Sequence, residues 1–236
     1  MQVKDAVVLV TGANRGIGAA LVQAFQVAGA AKIYAAARSV DSIKTDGVVP
    51  LQLDVTQPAD ILAAAAACGD VTIVVNNAGI MLSGSTLADD VEQTFLSQVE
   101  VNVLGPLRMT RAFAPILKRN GGGAVVNVHS VLSWLTISGS AAYSASKAAV
   151  WAFTNGIRSE LASQNTQVLG LHMGFVDTDM TAGIDVPKVS PADVATQVVE
   201  SLEDGDLEVL ADGTTRTVKV SLGSARAAYL YPPDQG

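Results

Sequence analysis

The chain has 236 residues, 49% of them hydrophobic and 16% charged, with a formal net charge of −7. That much apolar material suits one α/β domain of ordinary size and argues against disorder. The acidity argues against a nucleic-acid binder, which would show a basic face, and gives no pull toward anionic membranes. Cys68 is the single cysteine, so no disulfide forms within the chain; it follows the run Ala63–Ala67 and reads as a small buried hydrophobe in a reducing compartment. The N-terminus, MQVKDAVVLV, runs straight into a strand pattern and lacks the basic start and apolar stretch of a secretion signal. No apolar run approaches the ~20 residues of a membrane span. A cytoplasmic location is the expectation.

In chain order, strands are predicted at Val7–Val10, Lys32–Ala36, Val48–Leu51, Thr72–Asn76, Ala124–Val128, Val168–Met173 and Leu207–Leu210. Most are continuous apolar runs without polar alternation, the mark of strands covered on both faces. Helices are predicted at Ile17–Ala28, Pro58–Ala67, Val91–Lys118, Ala142–Ser163 and Pro191–Leu202, with Pro58 and Pro191 in first turns, where no amide donor is needed. Thr214–Tyr231 reads as one more helix, and residues 232–236 as a loose tail. No repeat or linker interrupts the chain, so residues 1–236 form a single domain. This βαβα order predicts a doubly wound parallel β-sheet of about seven strands with helices on both faces.

The first predicted strand runs into Thr11-Gly12-Ala13-Asn14-Arg15-Gly16-Ile17-Gly18. Gly12 permits a tight turn, Gly16 lets the backbone approach a pyrophosphate, and Gly18 lets the helix pack on the sheet. Free amides at the helix N-terminus then face the phosphates. A strand before and a helix after supply the context that three glycines alone lack. At the end of the second strand, where an acid would hold a ribose 2′-OH, stand Ala37 and Arg38; the first acid after Ala19 is Asp41. A guanidinium matches a phosphate in charge and geometry. Arg38 and Arg15 therefore read as a 2′-phosphate site.

Ser130, Tyr143 and Lys147 follow as Ser-x12-Tyr-x3-Lys. Four residues apart on a helix, Tyr143 and Lys147 share a face. A nearby ammonium is expected to lower the phenol's pKa, and Ser130 to add a second hydroxyl for the same substrate oxygen.

Together these residues closely resemble the short-chain dehydrogenase/reductase family over roughly residues 5–180. The match rests on the TGANRGIG loop, Asn76-Asn77-Ala78-Gly79, Ser130 and Tyr143-Ser144-Ala145-Ser146-Lys147. The resemblance implies a Rossmann-like fold and an oxidoreductase using NADP(H). It makes Tyr143 the proton donor to a carbonyl oxygen, Ser130 that oxygen's hydrogen-bond partner, and Lys147 the group that binds the nicotinamide ribose and tunes Tyr143. Asn102 matches an asparagine that kinks a helix and holds a water in a proton relay. Asp54-Val55 resembles a pair that contacts adenine, and Asn76, Ala78 and Gly79 a segment under the cofactor. Gly174, Val176 and Thr178 belong to a loop closing over the nicotinamide. Leu132, Trp134, Phe175 and Met180 are expected to line a substrate pocket. The family further implies a homodimer or homotetramer through the two long helices.

There are departures. Met173-Gly174 stands where the family usually reads Pro-Gly, so proline's fixed φ is lost. His129 occupies a position where a small residue is common; strand alternation turns it away from the face of Ser130, and it and His172 read as structural. With no third ligand near them, no metal site is expected.

The substrate expected from these residues is a bulky apolar ketone or secondary alcohol. A 3-oxoacyl-[acyl-carrier-protein] reductase is the alternative, with Arg108, Arg111, Lys118 and Arg119 as a rim for an acidic carrier. A protein that senses NADP(H) without chemistry is the rival class, and it would have no need of Ser130, Tyr143 and Lys147 together.

Overall fold

A computed structural model of the protein describes residues 1–231, so the tail expectation for 232–236 falls outside the described residues. Seven parallel strands form one sheet: β1 (Val7–Thr11), β2 (Lys32–Ala37), β3 (Val49–Gln52), β4 (Ile73–Asn76), β5 (Gly123–Val128), β6 (Thr166–His172) and β7 (Glu208–Leu210). Their order is β3-β2-β1-β4-β5-β6-β7. The helices are α1 (Gly16–Val27), α2 (Pro58–Ala67), α3 (Val91–Val99), α4 (Gly105–Arg119), α5 (Ala141–Ala162), α6 (Pro191–Asp204) and α7 (Gly213–Ser221).

Period-two alternation sorts each strand's apolar side chains between two cores. Val8 and Val10 of β1, Ile73 and Val75 of β4, and Ala124 and Val126 of β5 face α1 and α6 through Leu21, Val22, Phe25, Val194, Val198 and Leu202. Leu9, Val74 and Val125 point the other way, toward Ile61 of α2, Met109 and Phe113 of α4 and Leu161 of α5. Both faces are covered, which is why the strands read as unbroken apolar runs.

The long helix predicted at Val91–Lys118 is interrupted. Residues Glu100–Leu104 form a π turn in which the Gly105 amide donates to Glu100, five residues back. Pro106, in the next position, has no amide to offer Asn102, so regular α bonding cannot cross this point. Near the C-terminus, α7 ends at Ser221, ten residues before the predicted Tyr231. Among the described residues no helix is long and apolar enough to cross a membrane.

Strand order reverses at β1, whose neighbours are β2 and β4. Loops leaving the carboxyl ends of β1 and β4 diverge there and open a crevice. The same geometry makes α4 essential, since Phe113 is fully buried against the strands beneath that crevice. Phe113→Ala is expected to cost ~3–5 kcal/mol of unfolding free energy in urea titration, as large-to-small core changes do. A loss under about 1 kcal/mol would mean that this core relaxes to fill the gap.

Candidate active site

The crevice is a groove of about 500 Å³ with mixed polar and apolar walls, running from Arg38 past the glycine loop to Tyr143. Thr11 builds its floor. Its hydroxyl donates to the Val75 carbonyl at 3.1 Å and accepts from the amides of Asn77 and Ala78 at 3.0 and 3.1 Å. Asn77 Nδ2 donates back to the carbonyls of Thr11 and Gly12 at 2.9 and 3.1 Å. The loop after β1 is thereby fastened to the segment after β4.

Gly12 turns off the strand at φ +64°. A Cβ at Gly18 would stand 2.1 Å from the Gly12 carbonyl oxygen, so only glycine lets α1 pack this close. Gly12, Asn14, Arg15, Gly16, Ile17 and Gly18 all line the groove. So do Arg38, with Ala37, at one end, Asp54 and Val55 along one wall, and Ala78 and Gly79 along the floor. Gly174, Val176 and Thr178 form the opposite wall. Arg15 also reaches across to Asp179 at 3.0 Å, an ion pair of two largely exposed side chains and so a weak one.

Asn76 is not where the sequence reading put it. Its side chain is buried, and Nδ2 donates to Asn127 Oδ1 at 2.8 Å and to Thr110 Oγ1 at 3.2 Å. As the last residue of β4 it points into the sheet's far face, and its neighbour Asn77 faces the groove instead. The doublet Asn76-Asn77 was a signal for the right segment, but a sequence does not say where alternation ends. Ser39 and Ser42, beside Arg38, also line the groove and carried no motif to mark them.

Ser130, Tyr143 and Lys147 meet at the inner end of the groove, all three buried. Ser130 follows β5 and caps the short turn Val131–Ser133, its Oγ accepting from the Leu132 amide at 3.1 Å. Lys147 Nζ donates to the Val128 carbonyl at 2.9 Å and lies 5.6 Å from the centre of the Tyr143 ring.

The electrostatics correct the expectation for Tyr143. Burial pushes its phenol up to about 12, hydrogen bonding with Ser130 opposes this only in part, and no lowering by Lys147 emerges. Burial likewise pushes Lys147 down to about 8. For both groups desolvation is the largest influence, because burial penalises the charged form of each.

Asn102 sits in the π turn and does not line the groove. Its Oδ1 accepts from the Ile80 amide at 2.9 Å, while Nδ2 donates to the Ile80 carbonyl at 2.9 Å and to Ser146 Oγ at 3.0 Å. In this arrangement it positions the chain just beyond Gly79, and the kink expected of it is the π turn.

A second cavity, about 420 Å³ and mostly apolar, opens from the same point. It shares Ser130, Tyr143, Gly174, Met180 and Thr181 with the groove and is walled by Leu132, Leu135, Ile137, Phe175 and Ile184. Trp134, expected in this wall, is outside it. The indole stacks on His172 with ring centres 4.1 Å apart and meets Trp151 edge-on at 6.1 Å. The turn at Val131–Ser133 rotates Leu132 and Leu135 toward the cavity and Trp134 behind them.

His129 and His172 form a buried pair, Nδ1 to Nε2, at 3.0 Å, continued to Thr154 at 2.9 Å and toward the Ser130 carbonyl at 3.3 Å. Burial holds both imidazoles neutral, His172 down to about 4 and His129 well below its ordinary value. Among the described residues no group of three or more His, Cys, Asp or Glu is placed to hold a metal ion. Cys68 is buried, its thiol pushed up to about 11 chiefly by desolvation, and so is unreactive.

A family model described as short chain dehydrogenase matches residues 6–188. The chain is 33% identical over 212 residues to an uncharacterized oxidoreductase of Staphylococcus aureus (strain MRSA252), covering 84% of this chain and 91% of that one. It is 34% identical to the short chain dehydrogenase mpl6 of Monascus purpureus over 83% of this chain and 71% of that one. Among solved structures, a short chain dehydrogenase from Burkholderia cenocepacia J2315 in complex with NADP superposes with a TM-score of 0.91 at 36% identity, covering 96% of both chains. A 3-ketoacyl-(acyl-carrier-protein) reductase from Brucella melitensis complexed with NADH gives 0.80 at 26% identity, over 88% of this chain and 97% of that one. The chain belongs to the short-chain dehydrogenase family and is an oxidoreductase of that family.

The sign of the Lys147 shift makes a test. Its folded-state value of about 8 lies below the ordinary 10.5, so between these values the unfolded chain binds the extra proton. Stability must therefore rise with pH through this window on account of Lys147. From pH 7.5 to 9.5 the parent should gain about 2 kcal/mol relative to Lys147→Met in urea unfolding. Parallel pH profiles for the two proteins would show that Lys147 is not desolvated.

Proposed function

We propose that this enzyme is an NADP(H)-dependent carbonyl reductase acting on bulky, uncharged ketones and the matching secondary alcohols. The observation that carries the reading is the convergence of Ser130, Tyr143 and Lys147 where the groove meets the apolar cavity.

The groove fits a dinucleotide. Glycines at 12, 16 and 18 keep it free of side chains beside the N-terminus of α1, and Arg38 stands at the end where a 2′-phosphate would lie. Bound there, NADP(H) supplies or takes up the hydride. Lys147 holds the nicotinamide ribose hydroxyls. Ser130 donates a hydrogen bond to the substrate oxygen, and Tyr143 gives that oxygen its phenolic proton. A phenol held near 12 is protonated at neutral pH and so carries the proton that reduction requires. Alcohol oxidation needs the phenolate and so favours alkaline conditions.

The cavity's charge inventory supports a neutral substrate. Lys188 donates its ammonium to the Thr181 carbonyl at 2.9 Å, and Asp212 is engaged with backbone amides. Among the described residues no other charged residue lines it, so the cavity carries one cation and one anion and no cluster of cations to draw a carboxylate. Of the four basic residues in the alternative carrier rim, Arg108 is paired with Glu100. Self-association through α3 and α5 is part of the proposal, supported by exposed Phe95, Leu96 and Phe153.

NADPH oxidation across a panel of aryl ketones, 2-keto acids and acyl thioesters tests the substrate class. Aryl ketones should give the highest kcat/KM; faster turnover of keto acids or thioesters would overturn it. Tyr143→Phe should lose ~10²–10⁴-fold in turnover while binding NADPH nearly as the parent does. A variant within about tenfold of the parent would remove Tyr143 from the chemistry.

Cofactor choice is tested separately. Ala37→Asp with Arg38→Leu places a carboxylate where the ribose 2′-OH would lie and removes the guanidinium. NADPH affinity should fall by about one to two decades while NADH affinity holds or improves. Equal kcat/KM for both cofactors in the parent would contradict the assignment of Arg38.

A further inference from the structure

The loop leaving β6 forms one wall of both cavities, and its first residues, Met173-Gly174, lack the proline usual at this point. Two hydrogen bonds restrain the chain here. The Val131 amide, one residue past Ser130, donates to the Met173 carbonyl at 2.8 Å. The Gly174 amide donates to Asp212 Oδ2 at 2.7 Å. Asp212 lies 38 residues away, where β7 gives way to α7.

The two carboxylate oxygens of Asp212 do different work. Oδ1 accepts from the Thr215 amide at 2.8 Å and so caps α7. Oδ2 accepts from Gly174 and from the Thr215 hydroxyl at 2.9 Å. Only a side chain with two acceptor oxygens serves both amides, because an asparagine has one and a serine is too short to span the gap. Gly174 lines both the groove and the apolar cavity, and Asp212 itself lines the latter.

We infer that Asp212 is a positioning residue for the reaction proposed above: its Oδ2 clamps the Gly174 peptide and fixes the wall shared by the nucleotide groove and the ketone cavity, in place of a proline's rigidity. It touches neither the reacting oxygen nor the proton. Its effect reaches the chemistry through residues 174–190, which carry Phe175, Val176, Thr178 and Met180.

Asp212→Ser separates the two duties, since serine caps helices as well as aspartate does but leaves Gly174 unheld. In the protein without nucleotide, hydrogen exchange followed by mass spectrometry should show amides of residues 174–190 exchanging about tenfold faster or more, the size expected when a hydrogen bond to a charged acceptor is removed. Exchange in α7 should not change, and Tm should move by less than about 3 °C. NADPH affinity, by fluorescence titration, and ketone kcat/KM should both fall, chiefly through KM. Thr215→Val, which removes only the hydroxyl bond to Oδ2, should leave exchange in 174–190 at the parent's rate.

Unchanged exchange in 174–190 would overturn the inference. So would an Asp212→Ser protein that unfolds together with Asp212→Asn, since the carboxylate would then serve the fold as a whole. Because exchange is read without substrate, a parent enzyme inactive on every ketone would sink the proposed reaction and still leave the clamp open to measurement.

Discussion

Everything at the active site depends on how the ends of β1 and β4 are held together. Parallel strands bond along their lengths, but past their carboxyl ends the backbone has no ladder to continue, and the loops must find other partners. Thr11 supplies them. One hydroxyl donates to β4 and accepts two amides from the segment beyond it, while Asn77 closes the seam from the other side. The glycine loop, the floor at Ala78–Gly79 and, through Asn102, the chain at Ile80 then stand in fixed relation. A groove that must hold a long, thin ligand needs that fixity, because each residue left loose would have to be ordered on binding.

Burial sets the chemistry more than charge does. Tyr143 and Lys147 share a helix face as their spacing requires, but both are removed from water, and each is driven toward its neutral form. The result is a protonated phenol and not a preformed phenolate. Behind them, the pair of buried histidines joins Thr154 to the backbone of Ser130. Kept neutral, it adds polar contacts without the cost of a buried charge. Trp134 stacks on His172 and packs against this layer.

The sequence by itself determined the fold class and pointed to most of the residues that line the candidate site. Unbroken apolar strands alternating with amphipathic helices admit few arrangements besides a doubly covered parallel sheet. The spacing of Gly12, Gly16 and Gly18, and of Tyr143 and Lys147, marks positions that share one loop or one helix turn. Such features are legible because their partners lie within a few residues.

Tertiary structure decided what depends on distant partners. Trp134 left the cavity because the turn after Ser130 rotates it onto His172, 38 residues on, and alternation past β4 gave the groove to Asn77 and the sheet to Asn76. The long helix broke at Glu100–Leu104, where Pro106 and the side-chain bonds of Asn102 to Ile80 and Ser146 combine. The direction of the Tyr143 shift followed from desolvation, a property of everything packed around the ring and of no single neighbour in the chain.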